Sequence, residues 1–309
     1  MIRPAVTGSA KIPSGSFPAA RYFELSALIA CSIAVWWQPL VSALKLALGS
    51  DAYTHILLIA PLSVALIYFE QSGVPYVPSR RGWAGWVLLS VALLLRALTA
   101  MSVNAVPADI FLSLSVFGLV LWWIGSVVVS FGSGIFRSHL FPLCFLFLVV
   151  PFPSGVVNWV TKTLQYQSAA GATLLFRIAQ VPVTRDGLII SIPGLDLEVA
   201  RECSSIRSST MLIVITLVLA HLFLQSRWRK VFLLAASLPL AVAKNAIRVF
   251  TIAELGTRVD PAYLDGKLHH NGGILFLAVA VMMIVLLLWI LRRSELHYSH
   301  LGRSQDLDS

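Results

Sequence analysis

Apolar runs, several of them close to the length of about 20 residues that crosses a hydrocarbon core, recur between Tyr22 and Leu291. Of the chain's 309 residues 58% are hydrophobic and 12% charged, where a soluble domain carries roughly a quarter charged residues. No soluble core can absorb that excess. The expected fold is therefore an all-α integral membrane protein of about eight transmembrane helices. The runs place them near residues 22–48, 52–69, 83–100, 109–131, 139–151, 204–225, 231–252 and 272–291.

A formal net charge of +9 raises the possibility of nucleic-acid binding, but the basic residues sit between the apolar runs and line no soluble face. They read as topology signals. Arg80 and Arg81, then Arg137, then Arg227, Arg229 and Lys230, and finally Arg292 and Arg293 all fall on the side of the amino terminus. By the positive-inside rule that side is cytoplasmic. The Trp36/Trp37 and Trp122/Trp123 pairs, with Trp83 and Trp86, suit anchors at the membrane interface. Residues 1–20, rich in Pro, Ser and Ala, form a flexible cytoplasmic leader with no trusted cleavage site. Residues 21–293 form one polytopic domain and residues 294–309 a short cytoplasmic tail.

The longest outer segment is 151–203. Its first part, Ser154 to Gln180, has apolar residues at helical spacing with Lys162, Gln165 and Arg177 interleaved. This pattern predicts a periplasmic interfacial or re-entrant helix. Next, Val181 to Ala200 carries Asp186-Gly187 and Pro193-Gly194 breakers between short β-branched runs. A short β-hairpin before the sixth transmembrane helix is expected, standing on the outer surface because strand edges are not tolerated in lipid.

Three groups of reactive or charged residues converge on the outer ends of the last three spans: Glu202 to Ser209, Lys244 to Phe250 and Lys267 to Gly273. Of three cysteines, Cys31 and Cys144 fall inside apolar runs and read as small buried hydrophobes. Cys203 stands among polar residues at a helix start, where the dipole and nearby cations favour a thiolate. Histidine is the usual partner of such a nucleophile, which nominates His269 and His270. An arginine supplies fixed donors for an oxyanion or a substrate carbonyl. Arg248 fits that role, Arg207, one turn after Cys203, is its rival, and Asn245, one turn before Arg248, is placed to brace it. The bland alternative is that the arginines snorkel and the cysteine is structural. No metal spacing and no organic cofactor is indicated.

At these residues the chain resembles the exosortase/archaeosortase family of integral membrane cysteine transpeptidases. The resemblance rests on Cys203 in RECSSIRSS, Asn245 to Arg248 in NAIR, and His269 in LHHNGG. It extends to FLFLVVPFP (Phe145 to Pro153) and AYTHILLIAPLS (Ala52 to Ser63). Ser205 stands where the family commonly has Gly, and the doubled histidine leaves two candidate bases. The family's His-x-x-x-Gly pattern, counted back from Gly273, selects His269.

The resemblance implies a membrane cysteine protease or transpeptidase that cleaves the carboxy-terminal sorting signal of exported proteins on the outer face of the cytoplasmic (inner) membrane. Cys203 would be nucleophile, His269 base and acid, and Arg248 the oxyanion group, with Arg207, Asn245 and His270 in support. The partners implied are exported proteins bearing a short motif, a hydrophobic helix and a basic tail, alongside membrane lipid and without nucleic acid. The competing readings are a transporter or exopolysaccharide-export component, with Arg96, Lys244 and Arg248 lining a path, and an inert assembly scaffold.

Overall fold

The computed structural model describes residues 19–71, 83–102, 105–199, 206–260 and 267–305. Cys203, most of the leader and the Arg80/Arg81 pair lie outside them. Among the described residues six helices are long and apolar enough to cross a membrane. Two further pairs, Ala19–Val35 with Trp37–Gly49 and Leu140–Val149 with Ser154–Ile178, bring the number to eight if each is counted as one broken span. The run read as a span over 139–151 is too short alone and qualifies only with the helix after it, across a bend of 94°. The chain divides into two compact units, residues 1–44 with 58–151 and residues 45–57 with 152–309.

The first unit holds α1 (Ala19–Val35), most of α2 (Trp37–Gly49) and α3 (Ile56–Gln71), then α4 (Trp83–Met101), α5 (Ala108–Phe131), and the short α6 (Ser133–Ser138) and α7 (Leu140–Phe145). The run read as one span over 22–48 is bent by 78° between α1 and α2. Pro39 supplies the reason: it has no N–H to give the Val35 carbonyl one turn earlier. Arg96 Nε donates to that carbonyl at 3.2 Å.

Two of the expected interfacial tryptophans prove to be core residues. Trp36 and Trp122 are buried with ring centroids 5.5 Å apart. Their indole N–H groups donate to Ser115 O and Leu28 O, each at 2.9 Å. Trp37, Trp83 and Trp86 do remain exposed. Cys31 and Cys144 are also exposed, not buried, so these small apolar side chains stand on outer helix faces. Helices α4 and α5 approach at Gly85, where a Cβ would lie 2.7 Å from Val129 Cγ2 and 2.8 Å from its backbone nitrogen. Only a residue without a side chain allows so close a crossing.

In the second unit, α8 (Ser154–Ile178) occupies the segment expected to be an interfacial or re-entrant helix. It ends with Gln180 at φ 60° and with Val181 N–H donating to Phe176 O at 3.0 Å, a closure that satisfies the last carbonyls. The expected hairpin gains a third strand: β1 (Thr184–Asp186), β2 (Ile189–Ile192) and β3 (Leu195–Glu198) form an antiparallel meander. Both glycine breakers turn the chain, Gly187 at φ 60° and Gly194 at φ 84°, which L side chains rarely adopt. Ile190 and Ile192 on one sheet face join Ala169, Ala172 and Phe176 of α8 in a buried cluster. Val199, just after β3, and Val249 and Ala253 of α10 (Arg227–Arg258) complete it.

The last three helices, α9 (Ile206–Phe223), α10 and α11 (Lys267–Gln305), pack around Leu212, Leu224, Leu233, Ala241, Ala280 and Ile284. At one end Glu295 accepts from the N–H groups of Gln225 (3.1 Å) and Ser226 (2.6 Å) and pairs with Arg229 at 3.2 Å. The three helices alternate in direction, so the starts of α9 and α11 share the opposite end, that of α9 beside the stretch of α10 that carries Lys244 and lies well short of its close at Arg258.

Candidate active site

That shared end is where the candidate residues were expected to meet. Helix α10 buries a stripe along its length, at residues Leu233, Ser237, Ala241, Lys244, Asn245, Arg248, Val249, Ile252, Ala253 and Gly256, with Ala246 buried beside it against α8. Its spacing of three and four is that of one helix face. Most members are apolar or small, as helix packing in a membrane requires. Lys244, Asn245 and Arg248 are the exception, with Arg248 only 5% exposed and Asn245 fully buried. Two cations one turn apart repel each other, and burial costs each of them its hydration.

The neighbouring head of α9 answers part of this charge. Lys244 Nζ donates to Ser208 Oγ, five positions after Cys203. Ser208 and Ser209 are both buried. One residue earlier Arg207 turns outward and meets Asp51 at 3.1 Å, with side-chain exposures of 59% and 73%. Asp51 opens a single helical turn, Asp51–Tyr53, that packs on α9. In that turn Tyr53 is buried and donates to Phe152 O at 2.8 Å, and His55 just after it is buried too.

On the other flank of Cys203, Gln165 of α8 is buried and its Nε2 donates to Val199 O at 2.9 Å. Helix α8 lies close on α10: a Cβ on Gly171 would stand 2.8 Å from Ala246 Cβ, and the Phe176 and Phe250 rings are 4.9 Å apart. The described residues nearest 200–205 are thus bonded on each side, Val199 to Gln165, Arg207 to Asp51 and Ser208 to Lys244.

Arg248 and Asn245 lie on the buried face, and Arg207 on the exposed rim. His269 and His270 fall in the first turn of α11, with side chains outside the described set, as is Cys203. Asp51, Gln165 and Ser208 were not anticipated from the sequence. Polar residues interrupting apolar runs were the signal available for Ser208 and Gln165, whereas Asp51 looks like any acidic loop residue. Arg96, a candidate for a transport path, is engaged with the Val35 carbonyl in the first unit.

A buried arginine and asparagine beside a helix head can do two things chemically. A guanidinium held out of water stabilises negative charge developing on an oxygen far better than it would in solvent. It also orients a carbonyl through several fixed donors. Residues 36–286 match the family model described as Transmembrane exosortase (Exosortase_EpsH). Comparison with curated proteins and with solved structures gives no match.

Proposed function

The chain belongs to the transmembrane exosortase family, and from that we propose that it is a cysteine transpeptidase or protease that cleaves carboxy-terminal sorting signals of exported proteins. The observation that carries this reading is the buried Asn245 and Arg248 on α10, next to the head of the helix that follows Cys203. Burying a guanidinium in a membrane helix costs several kcal/mol in order of magnitude, and such residues mark functional sites by default.

In this reading the Cys203 thiolate attacks the carbonyl carbon of the scissile peptide, forming an S–C bond. Arg248 donates hydrogen bonds to the resulting oxyanion. Collapse breaks the C–N bond, and the departing amine takes a proton from His269. Water or an acceptor amine, losing a proton to His269, then attacks the thioester and releases Cys203. Asn245 and Ser208 position the helices that carry these groups. The substrate's hydrophobic helix packs against the protein within the bilayer, and the reaction takes place on the outer face of the cytoplasmic membrane, where the basic loops are not.

The test is expression of the full chain with an exported protein bearing a carboxy-terminal signal. Cys203→Ala should leave the substrate unprocessed while the protein accumulates in membranes at near native abundance. Cys31→Ala and Cys144→Ala should process normally. Continued processing by Cys203→Ala would reject the thioacyl mechanism.

A further inference from the structure

Between α8 and the β1–β2 turn lies an open groove of about 500 Å³, lined by Ala170, Thr173, Leu174, Arg177, Arg185 and Gly187. Two of the six are cations and none is acidic. Arg185 pairs across the sheet with Ile190, and cross-strand partners share a face. It therefore lies on the side that packs against α8. Its Nε donates to Gly187 O at 2.8 Å and its Nη2 to Tyr166 O at 3.3 Å. These bonds hold the guanidinium in place and use two of its five donors. Among the described residues neither Arg177 nor Arg185 forms an ion pair with a carboxylate. The carboxylates of the sheet, Asp186, Asp196 and Glu198, occupy alternate positions to Ile190 and Ile192 and so belong to the other face.

The side of α8 that bears the groove is mostly apolar, with the polar Thr163 and Gln167 also exposed on it. Val156, Trp159, Tyr166, Leu174 and Ile178 are all exposed, and helical spacing gathers them with Arg177 into one stripe opposite the buried Gln165, Ala172 and Phe176. In a membrane protein such a stripe, with Trp and Tyr among Leu and Ile, faces acyl chains and the headgroup boundary. A paired cationic site at the end of that stripe fits a ligand that is itself anionic at one end and apolar along its length.

We propose that this groove binds an anionic membrane phospholipid, with Arg177 and Arg185 on the phosphate and the acyl chains along the Leu174 side of α8. A guanidinium pair suits a phosphodiester through multiple donors. A zwitterionic lipid would bring its own ammonium to the same two cations and is disfavoured. Free phosphate lacks the apolar part that the stripe recognises.

The experiment is a native mass spectrometry titration of the detergent-solubilised full-length protein with short-chain phosphatidylglycerol, phosphatidylcholine and inorganic phosphate. The readout does not depend on Cys203. One cation near a lipid phosphate is worth about fivefold in affinity, so R177Q/R185Q should weaken phosphatidylglycerol binding by about thirtyfold and each single change by about fivefold. Lys162→Gln, a cation elsewhere on α8, should leave it unchanged. Arg185 also braces the β1–β2 turn, so Arg177→Gln alone is sufficient: native affinity in that variant would overturn the proposal. So would equal binding of phosphatidylcholine, or competition by inorganic phosphate at the affinity of the lipid. Displacement of the lipid by a glutamate-rich peptide that binds more tightly would make the groove a peptide site and overturn it as well.

Discussion

Arg248→Lys against Arg207→Lys separates a positioned guanidinium from a positive charge at a helix end. Both substitutions keep the charge, so neither changes the electrostatic cost of the site. They differ in what the structure asks of the side chain. Arg248 is 5% exposed on the packed face of α10, where one flexible ammonium cannot rebuild several fixed donors. Losing one oxyanion donor typically costs about a hundredfold to a thousandfold in rate. Arg207 meets Asp51 with both side chains more than half exposed. Such pairs contribute ~0–1 kcal/mol, which bounds the effect of Arg207→Lys at about fivefold. The two variants should therefore differ by roughly twentyfold or more. The assay is the initial rate at which processed substrate appears on an immunoblot, normalised to membrane abundance of each variant. Near-native processing by Arg248→Lys would refute a role for its fork of donors and return it to snorkelling. A greater loss in Arg207→Lys would move the role to the head of α9.

Two further outcomes are expected. His269→Ala should abolish processing and His270→Ala leave most of it, because the spacing to Gly273 selects His269 and one imidazole alone can serve the thiol; the reverse order in the same immunoblot would assign the base to His270. Gly171→Ala sets a Cβ 2.8 Å from Ala246 Cβ and should cost about 1–3 kcal/mol, seen as a lower thermal midpoint in detergent. Ala246→Gly in the same chain should restore most of the loss, and a native midpoint for Gly171→Ala alone would show that α8 and α10 are not so tightly held.

The membrane class, most of the span positions and the NAIR segment were legible in the sequence because they depend on local composition. A run of about 20 apolar residues forms a helix in lipid wherever its neighbours sit, since the backbone has no other partner there. The two glycine turns of the outer segment were legible for the same reason, although the third strand needed its partners: Thr184–Asp186 is a strand only because Ile189–Ile192 pairs with it. Where the outcome depends on a distant residue, composition misleads. Trp36 and Trp122 look like interfacial anchors and are core residues, because α5 offers Ser115 O to one indole and α1 offers Leu28 O to the other. Apolarity continues through Pro39 while the helix does not, and the carbonyl it orphans is met by Arg96, 61 positions from Val35. At the candidate site the same division holds. The sequence determined which polar residues interrupt the apolar runs. Tertiary structure alone decided that Lys244 meets Ser208 and that Arg207 turns to Asp51, 156 positions away, because which side of a helix meets another is set by the packing of whole helices and not by the residues beside it in the chain.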